Sequence, residues 1–291
     1  MKPLRVALLG PEGTVSQESA KTFLAGLPVE FKIYRLISEA YQSTMNGETD
    51  YSIIPIENTI EGSVNLHVDV LVGDGDLPIQ AEWTYPSIQN LIGFRTPEEA
   101  NGAPVDYSRI RKVASIPVAI AQCGEFLRAH LPDVDYEHTT STAGGVRLVK
   151  ESGDPGLAAI GTKTAADMYG LDLLAENVTD HNNNFTRFTL VGREPFTAKQ
   201  GGLPKTTMIV TLPEDYPGAL HQVLSAFAWR RINLSKIESR PTKKKLGNYY
   251  FYIDVEASLD SVLLPAAISE IEAIGCQVRI LGSYLTYPYQ R

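Results

Sequence analysis

Residues 51–58 read Tyr-Ser-Ile-Ile-Pro-Ile-Glu-Asn, an apolar run that ends in a carboxylate and an amide. A short apolar run bounded by turn signals predicts a buried strand. Ligands of open α/β sheets lie beyond the carboxyl ends of the strands, so Glu57 and Asn58 stand where a ligand would meet them. Gly62 and Ser63 follow and are suited to the opening of the next helix, and a solvated turn is the alternative for this segment.

The same pattern recurs on both sides of this stretch. Short apolar runs at residues 6–9, 112–115 and 157–160 each precede a turn and a more polar, periodic stretch. Such alternation predicts βαβ units around a largely parallel sheet, which is an α/β fold. Two cycles of the pattern predict two lobes with a cleft between them. Lobe one comprises about residues 1–77 and 174–195, and lobe two about residues 78–173.

The patterning changes after a linker-like stretch at residues 196–205, which contains two adjacent glycines and a proline. We predict the order βαββαβ for the remainder, a ferredoxin-like regulatory or binding module. The predicted strands are residues 207–212, 233–240, 248–255 and 276–284, and the predicted helices are 217–230 and 261–274. A polar turn around residues 243–247 would join the second and third strands.

Composition excludes several classes of protein. Of 291 residues, 43% are hydrophobic and 21% charged, as in a folded globular protein. No apolar run approaches the roughly 18 residues that cross a bilayer, and the N-terminal residues do not resemble a secretory signal, so we predict a cytoplasmic protein with no membrane partner. Cys123 and Cys276 are too few and too far apart for a structural metal or a disulfide scaffold.

The charge is distributed unevenly. Residues 1–205 carry 17 basic and 26 acidic side chains, a net charge of −9. Residues 206–291 carry 9 basic and 8 acidic side chains, a net charge of +1. This balance argues against a nucleic-acid partner, which would require a basic face.

Two further segments place polar groups after predicted strands. Residues 10–16 form a glycine-bearing loop whose main-chain N–H groups and hydroxyls, including those of Thr14 and Ser16, suit an anion. Ser115 is the predicted N-cap of a helix that begins near Pro117, and Gln122 lies on an early turn of that helix. The structural alternatives are a plain turn for residues 10–16, a helix cap for Ser115 and a surface position for Gln122.

The last segment joins an asparagine run at residues 182–184 to Phe185, Thr186, Arg187 and Phe188. The planar guanidinium of an arginine can donate two parallel hydrogen bonds to a carboxylate. Arg187 is therefore a candidate carboxylate ligand, and a surface arginine at a strand end is the alternative.

The segments at residues 10–16, 55–64, 115–123 and 184–188 resemble, in this order, motifs of the monofunctional prephenate dehydratase family. Two C-terminal motifs, Gly218-Ala219-Leu220 and Glu238-Ser239-Arg240-Pro241, extend the resemblance over nearly the whole chain. That family has a two-lobed catalytic domain like the type II periplasmic binding proteins, followed by an ACT domain that binds phenylalanine. The resemblance implies a catalytic domain over residues 1–195, a linker over 196–205 and an ACT domain over 206–291.

The resemblance implies that prephenate loses its ring hydroxyl as water and its ring carboxylate as CO2, which gives phenylpyruvate. Aromatisation drives this elimination, so no cofactor and no metal is required. The implied catalytic residues are Thr186, Asn58, Glu57, Ser115 and Gln122. Thr186 would orient the leaving hydroxyl, and Glu57, with a raised pKa, is the alternative proton donor.

Substrate binding is implied for Arg187, Phe188, Thr14, Ser16, Ser63, Ser141 and Thr142. Arg187 would bind a substrate carboxylate and offset the acidity of the domain. One departure from the family pattern is the sequence Ile116-Pro117-Val118 after Ser115, where many members have His-Pro-Gln.

The implied phenylalanine site comprises Gly218, Ala219, Leu220, Asn233, Glu238, Ser239, Arg240 and Pro241. ACT domains usually pair, so the resemblance implies a homodimer or homotetramer that phenylalanine inhibits. The open alternatives are a related dehydratase that accepts arogenate and a non-catalytic amino-acid sensor, since fold alone does not decide function.

Overall fold

A computed structural model describes residues 2–73, 75–214, 216–241 and 249–289. The strands are β1 Leu4–Leu9, β2 Val29–Tyr34, β3 Tyr51–Asn58, β4 Gly62–Ser63, β5 Ile79–Pro86, β6 Asn90–Gly93, β7 Lys112–Ser115, β8 Asp135–His138, β9 Leu157–Gly161, β10 Asp172–Ala175, β11 Phe185–Val191, β12 Leu203–Thr211, β13 Leu234–Pro241, β14 Tyr249–Val255 and β15 Gln277–Tyr287.

The helices are α1 Val15–Phe23, α2 Ile37–Met45, α3 Asn65–Val72, α4 Pro97–Ala100, α5 Pro117–Ala121, α6 Gly124–His130, α7 Thr142–Ser152, α8 Lys163–Tyr169, α9 Ala219–Ala228 and α10 Leu263–Ala273. A 3-10 turn covers Tyr107–Arg109.

The chain forms two compact units, and it passes between them within α2, β3, β5 and β11 and between β4 and α3. The first unit comprises Met1–Ala40, Glu57–Ser63 and Tyr85–Thr186. The second comprises Tyr41–Ile56, Val64–Thr84 and Arg187–Arg291. Each unit is built from non-contiguous parts of the sequence.

The first unit contains a five-stranded sheet in the order β10-β6-β9-β7-β8. Strand β7 pairs in parallel with β8 and β9, while β6 pairs antiparallel with β9 and β10. Successive strand residues bury opposite faces: Val113 packs with α5 and α6, and Ala114 packs with α7 and α8. Helices therefore cover both faces of this sheet, but it is mixed rather than largely parallel as predicted, because β6 runs antiparallel to both of its neighbours.

A second part of the first unit is the parallel pair of β1 and β2, which runs in register from Leu4 opposite Val29 to Leu9 opposite Tyr34. Helix α1 connects the two strands. The crossover is a βαβ unit of the predicted kind, and the loop at residues 10–14 lies at the carboxyl end of β1.

The second unit contains strands in the order β13-β14-β12-β15-β5-β11-β3. Strands β12 to β15 pair antiparallel, and α9 and α10 pack on them through a core that includes Val223, Phe227, Leu264 and Ile271. The order β12-α9-β13-β14-α10-β15 is the predicted βαββαβ module. With the α/β elements of the rest of the chain, it confirms the predicted fold class.

The predicted bounds of this module differ from the structure mainly at two strand ends. Strand β12 begins at Leu203 rather than 207, and β15 continues to Tyr287 rather than 284. The extension of β15 pairs in parallel with β5, where Leu285 lies opposite Ala81. The predicted turn around residues 243–247 lies outside the described residues.

Cys123 and Cys276 are both buried free thiols, and burial raises the pKa of Cys123 to about 12. In the described part of the chain, no helix is long and apolar enough to cross a membrane.

Candidate active site

Two polar side chains from distant parts of the sequence, Asn58 and Ser87, meet at the hydroxyl of Thr186. Asn58 Nδ2 donates to Thr186 Oγ1 at 3.0 Å, and Ser87 Oγ lies 2.8 Å from the same oxygen. Asn58 ends β3, Ser87 directly follows β5, and Thr186 is the second residue of β11. All three belong to the first unit. The structure thus brings together Asn58 and Thr186, two of the predicted catalytic residues.

The amide of Asn58 is held in one orientation. Its Oδ1 accepts from the main-chain N–H groups of Ile60 at 2.9 Å and Glu61 at 3.1 Å. Its Nδ2 is therefore directed away from that turn, and it also contacts Phe185 O at 3.2 Å. An amide nitrogen only donates, so Thr186 Oγ1 is the acceptor in its contact with Asn58.

Asn184 extends this network to Gln122. Asn58 Nδ2 donates to Asn184 Oδ1 at 2.8 Å, and Asn184 Nδ2 donates to Gln122 Oε1 at 3.0 Å. Asn184 is 4% exposed, so its amide requires these partners. Gln122 is bonded to this cluster through Asn184, and it is the C-cap of α5 rather than a residue of an early turn as predicted.

Ser115 has a different place from the predicted one. It is the last residue of β7, it is completely buried, and its Oγ donates to Ile160 O on β9 at 2.8 Å. The N-cap of α5 is Ile116, which packs partly into the core, and Val118 is exposed. A hydroxyl that bridges two buried strands supports the sheet, so we leave Ser115 out of the proposed catalytic group.

The loop between β1 and α1 presents one unpartnered hydroxyl. Thr14 is the N-cap of α1, yet its Oγ1 is buried and has no hydrogen-bond partner among the described residues. The N–H of Gly13 is occupied by Gln17 Oε1 at 2.7 Å. Gly13 has φ of +81°, and a Cβ there would lie 3.1 Å from Ala165, so only glycine suits the position. Ser16 lies in the first turn of α1.

Ser141 and Thr142 open helix α7. Ser141 is its N-cap and accepts from Gly144 N at 2.9 Å, and Thr142 is the first helical residue. A Cβ on Gly145 would lie 2.7 Å from Ala114 O, so glycine allows this helix to approach β7 closely. The segment thus packs tightly beside the strand that ends at Ser115.

Glu57 and Ser63 lie opposite each other in the pairing of β3 with β4. Successive side chains of a strand point to opposite faces, so Glu57 faces away from the side on which Asn58 meets Thr186. From this alternation we expect the Glu57 carboxylate and the Thr186 hydroxyl to lie on opposite sides of β3.

Arg187 and Phe188 also have different places from those predicted, and both lie in the second unit. Arg187 Nη2 lies 2.6 Å from Glu82 and 2.6 Å from Asp254, and its side chain is 16% exposed. The ring of Phe188 is buried and stacks on Trp83 with centroids 5.7 Å apart. The predicted ligand for a substrate carboxylate is thus occupied by two carboxylates of the protein.

Glu82 is the centre of this buried cluster. Its carboxylate accepts from Arg187, from Lys205 at 2.5 Å, from Thr286 at 2.9 Å and from Tyr284 at 3.2 Å. Burial opposes ionisation, but the charges of Arg187 and Lys205 outweigh it and lower the pKa of Glu82. The same pairing, working against burial, raises the pKa of Arg187.

The C-terminal motifs of the predicted phenylalanine site lie in the second unit. Gly218, with φ of +94°, is the N-cap of α9 and provides no side-chain cap to the first turn, which contains Ala219 and Leu220. Asn233 Nδ2 donates to Glu256 at 2.7 Å. The stretch Glu238-Ser239-Arg240-Pro241 ends β13, the edge strand next to β14.

Arg240 contacts helix α3 rather than an open site. Its Nη1 donates to Asn65 Oδ1 at 2.7 Å, its Nη2 donates to Asn65 O at 3.0 Å, and Nη2 also bonds Asp69. Glu238 accepts from Nη1 at 2.7 Å. Burial opposes the charge, but hydrogen bonds to Asp69 and Glu238 outweigh it and raise the pKa of Arg240.

Sequence reasoning missed two members of the Thr186 cluster. Asn184 belongs to the asparagine run that drew attention to this segment, and its position just before β11 was the available signal. Ser87 carries no comparable signal, since it is a single serine in a stretch without a motif.

Across the described residues, no group of three or more His, Cys, Asp or Glu side chains is arranged as a metal site.

Comparison with known proteins decides the family. A family model described as prephenate dehydratase matches residues 6–196, and one described as ACT domain matches residues 206–275. The chain belongs to the prephenate dehydratase family. It is therefore a hydro-lyase with a C-terminal ACT domain, and its similarity to a curated relative supports this. The prephenate dehydratase of Bacillus subtilis is 40% identical over 98% of this chain and 99% of that protein.

Solved structures show the same fold over the whole chain. The prephenate dehydratase of Arthrobacter aurescens, solved in complex with L-Phe, is 34% identical with a TM-score of 0.84 and covers 97% of this chain and 90% of that one. A protein named GqqA, described as a novel type of quorum quenching acylase, is 25% identical with a TM-score of 0.83 and covers 99% and 100%. Members of one fold thus have different described activities, and the side chains of the site must carry the functional argument.

Proposed function

We propose that the cluster of Thr186, Asn58, Asn184 and Gln122 performs the decarboxylating dehydration of prephenate. The observation that supports this is the hydrogen bond from Asn58 Nδ2 to Thr186 Oγ1, which fixes a hydroxyl among polar side chains of the first unit. In the reaction, the bond between the ring and its carboxylate breaks and its electrons move through the diene. They expel the ring hydroxyl, which takes one proton from solvent and leaves as water, and CO2 and phenylpyruvate remain.

Thr186 assists the leaving group in this scheme. Its oxygen accepts from Asn58, so its own proton can be directed to the departing hydroxyl. A threonine hydroxyl is a weak acid, and its contribution is a hydrogen bond that strengthens as negative charge develops on the leaving oxygen. The opposite facing of Glu57 and Asn58 on β3 favours Thr186 over Glu57 for this role.

Hydroxyls of the first unit hold the substrate carboxylates in this proposal. Thr14 Oγ1 is buried without a partner among the described residues, which supports its use by a ligand. Ser141 accepts from Gly144 N, and a serine that accepts keeps its own proton for a ligand. Ser16, Ser63 and Thr142 remain proposed contacts, and we assign Arg187 and Phe188 to the fold instead.

We propose that L-phenylalanine binds at the ACT domain and inhibits. The first turn of α9 after Gly218 has no side-chain cap, which leaves main-chain donors for a ligand carboxylate. Arg240 of that motif is hydrogen-bonded to α3, which begins two residues after Ser63. A ligand that moves β13 would thereby act on the segment that follows Asn58.

A homodimer or homotetramer formed through the ACT domain is the assembly we propose. Exposed apolar side chains at the end of α9 and the start of α10 support it, namely Trp229 at 81%, Val262 at 86% and Leu263 at 52%.

The domain boundaries we propose are 1–195, 196–205 and 206–291, and the two family models end and begin near them.

Steady-state assays test the proposal. Purified protein is incubated with prephenate, and phenylpyruvate is followed with and without L-phenylalanine. Arogenate is the second substrate, with phenylalanine as its expected product. We expect turnover of prephenate that L-phenylalanine reduces, and turnover of neither substrate would refute the proposal.

A further inference from the structure

We propose that Ser87 is a positioning residue that sets the proton of Thr186 toward the leaving group. This inference rests on the proposed role of Thr186. Ser87 Oγ lies 2.8 Å from Thr186 Oγ1, and Ser87 is 7% exposed. A buried pair of hydroxyls at this distance shares one hydrogen bond, and either oxygen can be the donor. Which of them donates decides whether the Thr186 proton is available to a substrate.

The main chain fixes Ser87 at this place. Its N–H donates to Asn184 O at 2.9 Å, which ties the residue after β5 to the residue before β11. Asn184 in turn is held by Asn58 and Gln122. The serine side chain then has two rotations left to choose its partner, χ1 and the rotation of the hydroxyl hydrogen about the Cβ–Oγ bond.

The Ser87–Thr186 bond can run in two directions, and our proposal takes the one in which Ser87 donates. The amide of Asn58, oriented by Ile60 and Glu61, occupies one lone pair of Thr186 Oγ1. If Thr186 donated to Ser87, its only proton would be used inside the protein. If Ser87 donates, both lone pairs of Thr186 are filled and its proton points in a third direction.

The second arrangement also makes Thr186 a better donor. Two hydrogen bonds accepted by one oxygen draw electron density from it, and bonds in such a chain strengthen one another. The hydroxyl of Thr186 then stabilises the developing charge of the leaving oxygen more than an isolated threonine would. Ser87 contributes this without contact with the substrate.

Removal of the Ser87 hydroxyl gives a specific kinetic signature. In Ser87→Ala we expect kcat to fall about tenfold, the value of roughly one neutral hydrogen bond, with KM changed by less than about threefold. Ser87→Thr keeps a hydroxyl and restores kcat, whereas Ser87→Cys, a weaker donor, gives an intermediate value. Ser43→Ala is the matched control, because Ser43 Oγ is also buried and bonded to a threonine hydroxyl, Thr49, at 2.9 Å.

A double-mutant cycle with Thr186→Ala separates positioning from general support. If Ser87 acts through Thr186, Ser87→Ala costs nothing further in the Thr186→Ala background. Equal loss in both backgrounds, or wild-type kcat in Ser87→Ala, overturns the inference. If Thr186→Ala leaves too little turnover to measure, failure of Ser87→Thr to restore kcat overturns it instead. If Thr186→Ala itself keeps wild-type kcat, the proposed function fails, which is a different result from failure of the Ser87 inference alone.

Discussion

Thr186 and Arg187 are consecutive residues whose side chains belong to different environments. Thr186 meets Asn58 and Ser87, and Arg187 meets Glu82 and Asp254. Alternation along β11 produces this separation, because successive side chains of a strand point to opposite faces. The motif is therefore divided between the hydroxyl that we propose assists the leaving group and the buried ion cluster.

Replacing Arg187 is expected to affect folding before it affects catalysis. Arg187→Met leaves Glu82 and Asp254 without a partner that they share, and loss of one member of a buried ion network costs about 3–5 kcal/mol. Urea denaturation measures this, with Arg111→Met as the control. Arg111 is 74% exposed in its pair with Asp154, and such pairs contribute about 0–1 kcal/mol. A raised KM for prephenate with unchanged stability would instead return Arg187 to the substrate site.

Glu82 gives the cluster a pH dependence of known sign. Because its folded pKa is lowered by Arg187 and Lys205 against the opposing effect of burial, the carboxylate contributes stability above its unfolded pKa of about 4.3. That contribution is lost as the pH falls through the lower folded value. In Glu82→Gln we expect the free energy of unfolding to fall less steeply below about pH 4.3 than in wild type. Equal acid slopes in urea titrations of the two proteins would contradict this.

The candidate residues themselves could be read from the sequence only in part. Asn58 and Thr186 follow or open strands, so each was predicted, but 128 positions separate them and no pattern shows that they bond. Ser87 lies 99 positions from Thr186 in a stretch without a motif. The order of the strands in the sheet decides which side chains meet, and the spacing of apolar residues within one segment does not show that order.

At the scale of elements, helix α3 is held by two arginines of the ACT part of the second unit. Arg240 on β13 contacts Asn65 and Asp69. Arg279 on β15 donates to Val72 O at 2.7 Å and to Gly73 O at 3.1 Å, which satisfies carbonyl groups at the C-terminal end of the helix. Helix α3 is thus bonded to β13 and to β15, the first and the last of the four ACT strands in the order β13-β14-β12-β15.

This arrangement predicts that α3 carries regulation. In Asp69→Asn, the bond from Arg240 loses its ionic partner, and we expect phenylalanine still to bind while its inhibition weakens about fivefold or more, the lower range of allosteric coupling. Isothermal titration measures binding, and the prephenate assay measures inhibition. Asp154→Asn, which alters an exposed pair with Arg111, is the control. Unchanged inhibition in Asp69→Asn would exclude this route.

Helices and strands could be predicted where the apolar residues of one segment repeat at a regular spacing. Strand ends that depend on pairing with a segment far away in the sequence could not. The helices α9 and α10 have apolar residues at helical spacing, and both lie within the predicted ranges. The extension of β15 to Tyr287 depends on β5, since Leu285 to Tyr287 pair with Ala81 to Trp83. No local signal marks a strand that is lengthened by a partner two hundred residues away.

At the scale of the whole molecule, an acidic catalytic part must bind a substrate that carries two negative charges. The predicted catalytic part is acidic, at −9, and the arginine expected to offset this locally is neutralised by Glu82 and Asp254. In our proposal, recognition of a substrate with two carboxylates depends on oriented hydroxyl and N–H donors rather than on net charge. Salt should consequently have little effect on KM.

Assembly is a second property of the whole molecule. An exposed tryptophan at the end of α9 is costly to leave in water, and we expect it to be covered by a second copy. In Trp229→Arg we expect sedimentation velocity at micromolar concentration to show dissociation toward monomer. Val118→Arg, at a position 41% exposed in the first unit, is the control. Wild-type protein that sediments as a monomer would contradict the proposed assembly.

The most direct test of the central claim compares kcat for prephenate in Thr186→Ser and Thr186→Ala. Thr189→Val is the control on the same strand, because its hydroxyl bonds Ile54 O at 3.2 Å outside the cluster. Our account predicts that Thr186→Ser retains kcat within about tenfold of wild type, while Thr186→Ala loses about a hundredfold or more, the scale of one well-placed donor in the transition state. Nearly equal losses in the serine and alanine variants would show that the hydroxyl at this position does not assist the leaving group.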